Sequence, residues 1–189
     1  MIIEKQIHNK NSLGNFWYNT LDFRVMTKKT PFGDIQILKY IGDEIIGLNI
    51  HIPEGLKSTA YMFENNYNLL SAPIIPVSVK NTCNMFTGCS RLEHGIAMPY
   101  GVVSSSFMYQ GCVKLKDAPD LPESVKNAAY MFSNCISLLR PPKVPEHIKN
   151  VSGMFHNCKS LNILPDIPDN AKQDFILLGC NKLNHISFV

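Results

Sequence analysis

Five cysteines set the register of this chain: Cys89, Cys112, Cys135 and Cys158 follow one another at steps of 23 residues, and Cys180 comes 22 residues after the last. A fixed step means internal repetition, which constrains a fold more tightly than local propensity does. On that step the chain aligns as YMFENNYNL (61–69), NMFTGCSRL (84–92), FMYQGCVKL (107–115), YMFSNCISL (130–138), GMFHNCKSL (153–161) and FILLGCNKL (175–183). The shared block is x-M-F-x-x-C-x-x-L. Between the blocks run NIHIPEGLKS (49–58), APIIPVSVKN (72–81), GIAMPYGVVS (95–104), APDLPESVKN (118–127), PPKVPEHIKN (141–150) and LPDIPDNAKQ (164–173), so the second half of the unit reads x-x-x-x-P-x-x-V-K-N. One such unit cannot bury its own apolar face, so neighbours stack and share one long core. The array begins near Lys39 with an imperfect unit and occupies 39–189 as about six units, the last one imperfect.

Within 127–149, Asn127 is placed as an N-cap, and the spacing predicts one or two helical turns from Ala128 to about Cys135. Met131, Cys135 and Leu138 then fall at i, i+4 and i+7 on an inward face. Pro141, Pro142 and Pro145 stop the helix and favour extended backbone. Proline lacks the donor that a central strand needs, so the parallel ladder should be short, roughly two to four residues per unit. Residues 1–38 lie outside the register. They carry Trp17 in the aromatic stretch NFWYNTLDF, the turn signal TPFGD and the alternating DIQILKY, which together predict a β-rich N-terminal cap. At the other end HISFV, with Ile186 and Phe188 alternating, predicts a last strand or its cap.

The 23-residue unit, F-x-x-C-x-x-L followed by I/V-P-x-x-V, resembles the BspA-type leucine-rich repeats from about Lys39 to Asn184. The resemblance implies an α/β repeat fold: a leucine-rich-repeat-like right-handed solenoid with short parallel strands, short helical turns and an N-terminal β cap. It also implies a binding scaffold without a family-wide catalytic residue. The chain departs from the common pattern in Pro73, Pro119, Pro142 and Pro165, four residues beyond the leucine of each unit. It also opens on MIIEKQIHNKNSLGN, with acid and base where an export signal needs an apolar stretch.

Hydrophobic residues make up 45 % of the 189, charged residues 17 %, and the net charge is +3, which excludes disorder by charge and a strongly basic nucleic-acid binder. No apolar run approaches the roughly 20 residues of a membrane span. The expectation is a cytoplasmic protein, of a bacterium or of an infected host cell. Six cysteines suit a disulfide framework only if their spacing allows it. Helical elements of adjacent units would stack roughly 8–10 Å apart, beyond the ~7 Å that a disulfide bridges, so the ladder cysteines are expected to be reduced packing residues. Cys83 lies off the ladder and is the thiol open to reaction. No C-x-x-C occurs, and His94, His147, His156 and His185 do not recur in phase with the cysteines, so neither a metal site nor a cofactor is expected.

Enzymatic signals are weak as well. Asp117 and Asp120 lack a partner that would perturb a carboxyl, and no phosphate-cradling or nucleophile-elbow motif occurs. The Met-Phe pairs recur as core. Two other rows remain. Lys57, Lys80, Lys126, Lys149 and Lys172 occupy one place in five units, broken by Val103, and could track the phosphates of nucleic acid or another polyanion. Glu54, Glu123, Glu146 and Asp169 stand three residues earlier, so a solvated, locally paired edge is the plainer expectation. The second row is the variable stretch between leucine and proline. Neighbouring units hold it side by side, and Leu70, Glu93, His94, Lys116, Asp117, Leu139, Arg140 and Asn162 become candidate contacts on a protein-binding face. The sequence therefore points to a non-enzymatic protein–protein interaction module, such as a phage- or pathogen-encoded inhibitor of a host protein. The alternatives are a polyanion or nucleic-acid binder on the lysine row, or a fragment of a surface adhesin.

Overall fold

The computed structural model describes residues 22–183. Trp17 and the alternating Ile186 and Phe188 lie outside the described residues. The alternating DIQILKY is a strand: β1 (Phe23–Thr30) and β2 (Gly33–Tyr40) pair antiparallel, from Phe23 opposite Tyr40 to Thr30 opposite Gly33. This hairpin closes one end of a stack of repeat units. The Tyr40 N–H donates to Met62 O at 2.9 Å, the Lys28 ammonium pairs with Glu64 and lies 4.8 Å over the Tyr61 ring, and Phe23 and Tyr40 pack on Phe63.

The helical turns expected from Asn127 do not form, and no α-helix occurs among the described residues; the one helical element is the 3-10 turn Gly47–Asn49. Asn127 does cap a turn, its Oδ1 accepting the Ala129 N–H at 3.2 Å. The chain then leaves helical geometry at Tyr130 (φ +55°) and again at Asn134 (φ +62°). Between these residues the N–H groups alternate. Met131, Ser133 and Cys135 donate three residues back within the unit, whereas Ala128, Tyr130, Phe132 and Asn134 donate to Asn150, Ser152, Met154 and His156 of the next unit. An α-helix would use these donors internally and hold its neighbour one helix diameter away. Donating half of them sideways brings the units to hydrogen-bonding distance. Every unit repeats the device, with left-handed backbone at Asn65, Gly88, Gly111, Asn134, Asn157 and Gly179 just before the cysteine column.

Parallel pairing is shorter than expected too. It consists of isolated bridges, Ser58–Asn81–Ser104–Asn127–Asn150–Lys172 along one edge and His94–Asp117–Arg140 along another; past the second, Pro119, Pro141 and Pro142 bring no donor to extend it. Met131, Cys135 and Leu138 are all fully buried, as expected of a helix face, but turns place them there. The core is a column of rings, Phe63, Phe86, Tyr109, Phe132 and Phe155, with neighbouring centroids 5.4–6.0 Å apart. The methionine and cysteine columns flank it.

That close stacking corrects the distance argument for the cysteines. Crosswise bonds such as Gly88 N–H to Gln110 O at 2.7 Å set a backbone spacing of about 4.8 Å, which a disulfide could span. The thiols are nevertheless free. Each is turned along the stack onto a backbone carbonyl: Cys112 Sγ donates to Phe86 O at 3.2 Å, Cys135 Sγ to Tyr109 O at 3.1 Å and Cys158 Sγ to Phe132 O at 3.1 Å.

Candidate interaction surface

The stack lays the variable stretches side by side. Lys116 N–H donates to Glu93 O, Leu139 N–H to Lys116 O and Asn162 N–H to Leu139 O, at 2.9–3.3 Å. His94, Asp117 and Arg140 occupy the next position as the second bridge ladder. Leu70 and Glu93 are half-buried and the other six candidates are exposed, so none of the eight turns into the core. Four of them are paired with one another. His94 Nδ1 lies 2.9 Å from Asp117 Oδ2, and Lys116 Nζ lies 2.6 Å from Glu93 Oε2. The Lys116 ammonium, hydrogen-bonded to the Glu93 carboxylate and attracting it, holds that carboxyl below the usual range. Leu139 and Arg140 remain exposed and without such a partner among the described residues.

The lysine row differs from the paired edge that the sequence suggests. Successive members are directly joined, Lys80 N–H to Lys57 O, Lys149 N–H to Lys126 O and Lys172 N–H to Lys149 O, at 2.8–2.9 Å. The acids Glu54, Glu123, Glu146 and Asp169 make no ion pair with them among the described residues; Lys172 instead meets Asp174 at 3.3 Å. The row is a line of ammonium groups with little local neutralisation.

Three surface features escape a reading by residue type. A groove of about 230 Å³ is lined by Leu48, Ile50, His51, Ile52, Glu54, Ile74 and Pro76. A slot of about 260 Å³ opens between Tyr130, His156, Phe175 and Leu178, where Gly153 replaces the bulky side chain of that column. Val77 and Tyr100 are the most exposed apolar residues among the described residues of the repeats. The signal for these last two is visible in the alignment as the gaps in the acidic row. Cys83, off the ladder, is half-buried with its Sγ 3.0 Å from Ser104 Oγ. Among the described residues no cluster of three or more His, Cys, Asp or Glu side chains could hold a metal ion. Nor, among the described residues, is any helix long and apolar enough to cross a membrane.

No family model matches the chain, and no curated protein does. Among solved structures it is similar to a leucine-rich repeat protein of T. pallidum, at 25 % identity and a TM-score of 0.62 over 84 % of this chain and 77 % of that one. It is also similar to a leucine-rich repeat protein of Bacteroides ovatus, at 21 % identity and a TM-score of 0.65 over 88 % of this chain. The chain spans 46 % of the Bacteroides protein, about half its length. Stacked units, one column of core rings and these two likenesses agree on a leucine-rich-repeat-like fold.

Proposed function

We propose that the chain is a non-enzymatic, BspA-type module that binds another protein through the face carrying Leu70, Glu93, His94, Lys116, Asp117, Leu139, Arg140 and Asn162. The likeness to leucine-rich-repeat proteins supports protein interaction in general. The observation that carries this face is the register that lines these residues up along the stack, with Leu139 exposed and Arg140 without an ion-pair partner among the described residues. Arginine is enriched among interface hot spots, and the exposed leucine beside it adds apolar area that a partner could bury. In its most specific form the module occupies and inhibits a host protein, as a phage- or pathogen-encoded factor in a reducing cytoplasm. Buried free thiols favour such a compartment.

Cross-linking of the purified chain in lysate, read by mass spectrometry, tests the reading. A specific partner protein should cross-link to this face and be lost in Leu139→Ala/Arg140→Ala. Cross-links spread evenly over the molecule, or unchanged in that variant, count against it. The weak neutralisation of the lysine row favours a second reading, a polyanion binder. There, affinity for a single-stranded oligonucleotide should fall steeply with salt and vanish in the triple substitution of Lys126, Lys149 and Lys172 by Gln.

A further inference from the structure

One stretch of the lysine edge departs from both charge rows at once. Val103 breaks the lysine row, and Val77 and Tyr100 stand where other units have Glu54, Glu123, Glu146 and Asp169. The three replacements are exposed, at 81 % for Val77, 78 % for Tyr100 and 47 % for Val103. Val103 lies between two lysines. Its N–H donates to Lys80 O and its carbonyl accepts from the Lys126 N–H, each at 2.8 Å, so the three side chains leave the backbone about 4.8 Å apart. The Lys80 ammonium folds over Gly101, where a Cβ would come within 2.0 Å of Nζ. That brings a cation to the turn that carries Tyr100. Neither Lys80 nor Lys126 meets a carboxylate among the described residues.

An apolar and aromatic cluster inside a charged rim is the anatomy of a protein-binding hot spot. Here the rim nearest the cluster is cationic. The acidic row resumes only at Glu54 on one side and Glu123 on the other, and both would repel an acidic partner that strayed from the gap. We propose that Val77, Tyr100 and Val103, with Lys80 and Lys126, form a docking site for an acidic segment of a partner protein that presents an apolar or aromatic side chain between flanking carboxylates. The proposal rests on the protein-interaction reading and adds a second surface with its own partner chemistry. A phosphate backbone fits less well. It would use the two lysines but gain nothing from Val103, whose place a sixth lysine would fill to better effect.

Selection of a random peptide library on the full chain tests this, followed by fluorescence titration of a recovered peptide and of a single-stranded oligonucleotide. Recovered sequences should carry Asp or Glu on both sides of Leu, Ile, Phe or Trp. Val103→Lys, which completes the lysine row, should weaken the peptide by about tenfold, the loss of one apolar anchor. Lys126→Gln should weaken it and flatten its salt dependence. Melting curves for both variants establish that they fold. Peptides lacking the acidic–apolar pattern, or unaffected by Val103→Lys, overturn the proposal. An oligonucleotide that binds more tightly to Val103→Lys overturns it as well, in favour of a polyanion. Peptides lost only in Leu139→Ala/Arg140→Ala overturn this site while leaving the protein-interaction reading standing. A selection that enriches nothing overturns this site, and the cross-linking experiment then decides the broader reading separately.

Discussion

The Tyr109 hydroxyl is hydrogen-bonded to both backbone groups of Ile96, accepting from its N–H at 3.0 Å and donating to its carbonyl at 3.4 Å. Each residue is the exception in its column. Ile96 stands where other units have Pro73, Pro119 and Pro142, and Tyr109 stands where they have Phe86, Phe132 and Phe155, always 13 residues later. Proline brings no N–H to that position. Ile96 does, and the tyrosine supplies the acceptor that a phenylalanine could not.

Tyr109→Phe therefore leaves a half-buried N–H without its partner and should destabilise the fold by about 1–3 kcal/mol. Ile96→Pro in the same chain removes the orphaned donor and should recover most of that loss. Urea denaturation of the two single variants and the double variant measures the coupling, and strictly additive effects would refute it.

The thiol ladder should make the protein alkali-sensitive. Burial pushes the Cys89 thiol from 9.0 up to about 12 and raises Cys112, Cys135, Cys158 and Cys180 in the same direction. A raised folded-state value gives stability that is full below the unfolded thiol's range and drains away as pH climbs through the folded one. The urea midpoint should hold up to about pH 9 and decline beyond it. At neutral pH iodoacetamide should label Cys83 and spare the ladder cysteines until the chain unfolds, and a flat alkaline profile with a freely labelled ladder would contradict both expectations.

Glu93 titrates below the ordinary carboxylate range because Lys116 hydrogen-bonds to it and attracts its charge. The stability it contributes is present above that range and is lost as pH falls through the lowered value. In Lys116→Ala the carboxyl resonance of Glu93 should titrate at a higher pH, while the melting temperature hardly moves, since exposed ion pairs stabilise little. An unchanged titration would show that the pair does not persist in solution.

Asn65 adopts φ +60°, a region that costs an alanine about 1–2 kcal/mol and a glycine nothing. Asn65→Ala should lower the urea midpoint accordingly, and Asn65→Gly should leave it unchanged or raise it. Equal losses in the two variants would place the role of Asn65 in its side chain rather than in its backbone.

The repeat, its shared core and the hairpin over DIQILKY were legible because each rests on spacing: Met131, Cys135 and Leu138 are buried as their intervals require. Helix and turn were confused because i, i+4, i+7 also describes a chain that reverses twice at fixed points. The residues that betray the turn were present, since the position before the cysteine column holds only asparagine or glycine. Its companion column, Tyr61, Asn84, Phe107, Tyr130, Gly153 and Phe175 at φ +55° to +62°, gives a weaker sign, because only Asn84 and Gly153 suit that backbone and aromatic residues rarely accept it; Phe107 and Tyr130 adopt it with their rings stacked 5.2 Å apart. The eight candidate contacts were placed on one face by register alone. Which of them pair with one another depends on side-chain reach across units, which spacing does not encode.

The crosswise N–H rows have a mechanical consequence. Each unit is tied only to its two neighbours, so a chain pulled by its ends bears load one unit at a time. The β1–β2 hairpin clamps the first unit through its ring stack and the Lys28–Glu64 pair, so breaking that pair should let the first unit give way at lower force. Each unit of 23 residues should release about 80 Å of contour as it gives way, and the force trace becomes a regular sawtooth whose teeth count the repeats.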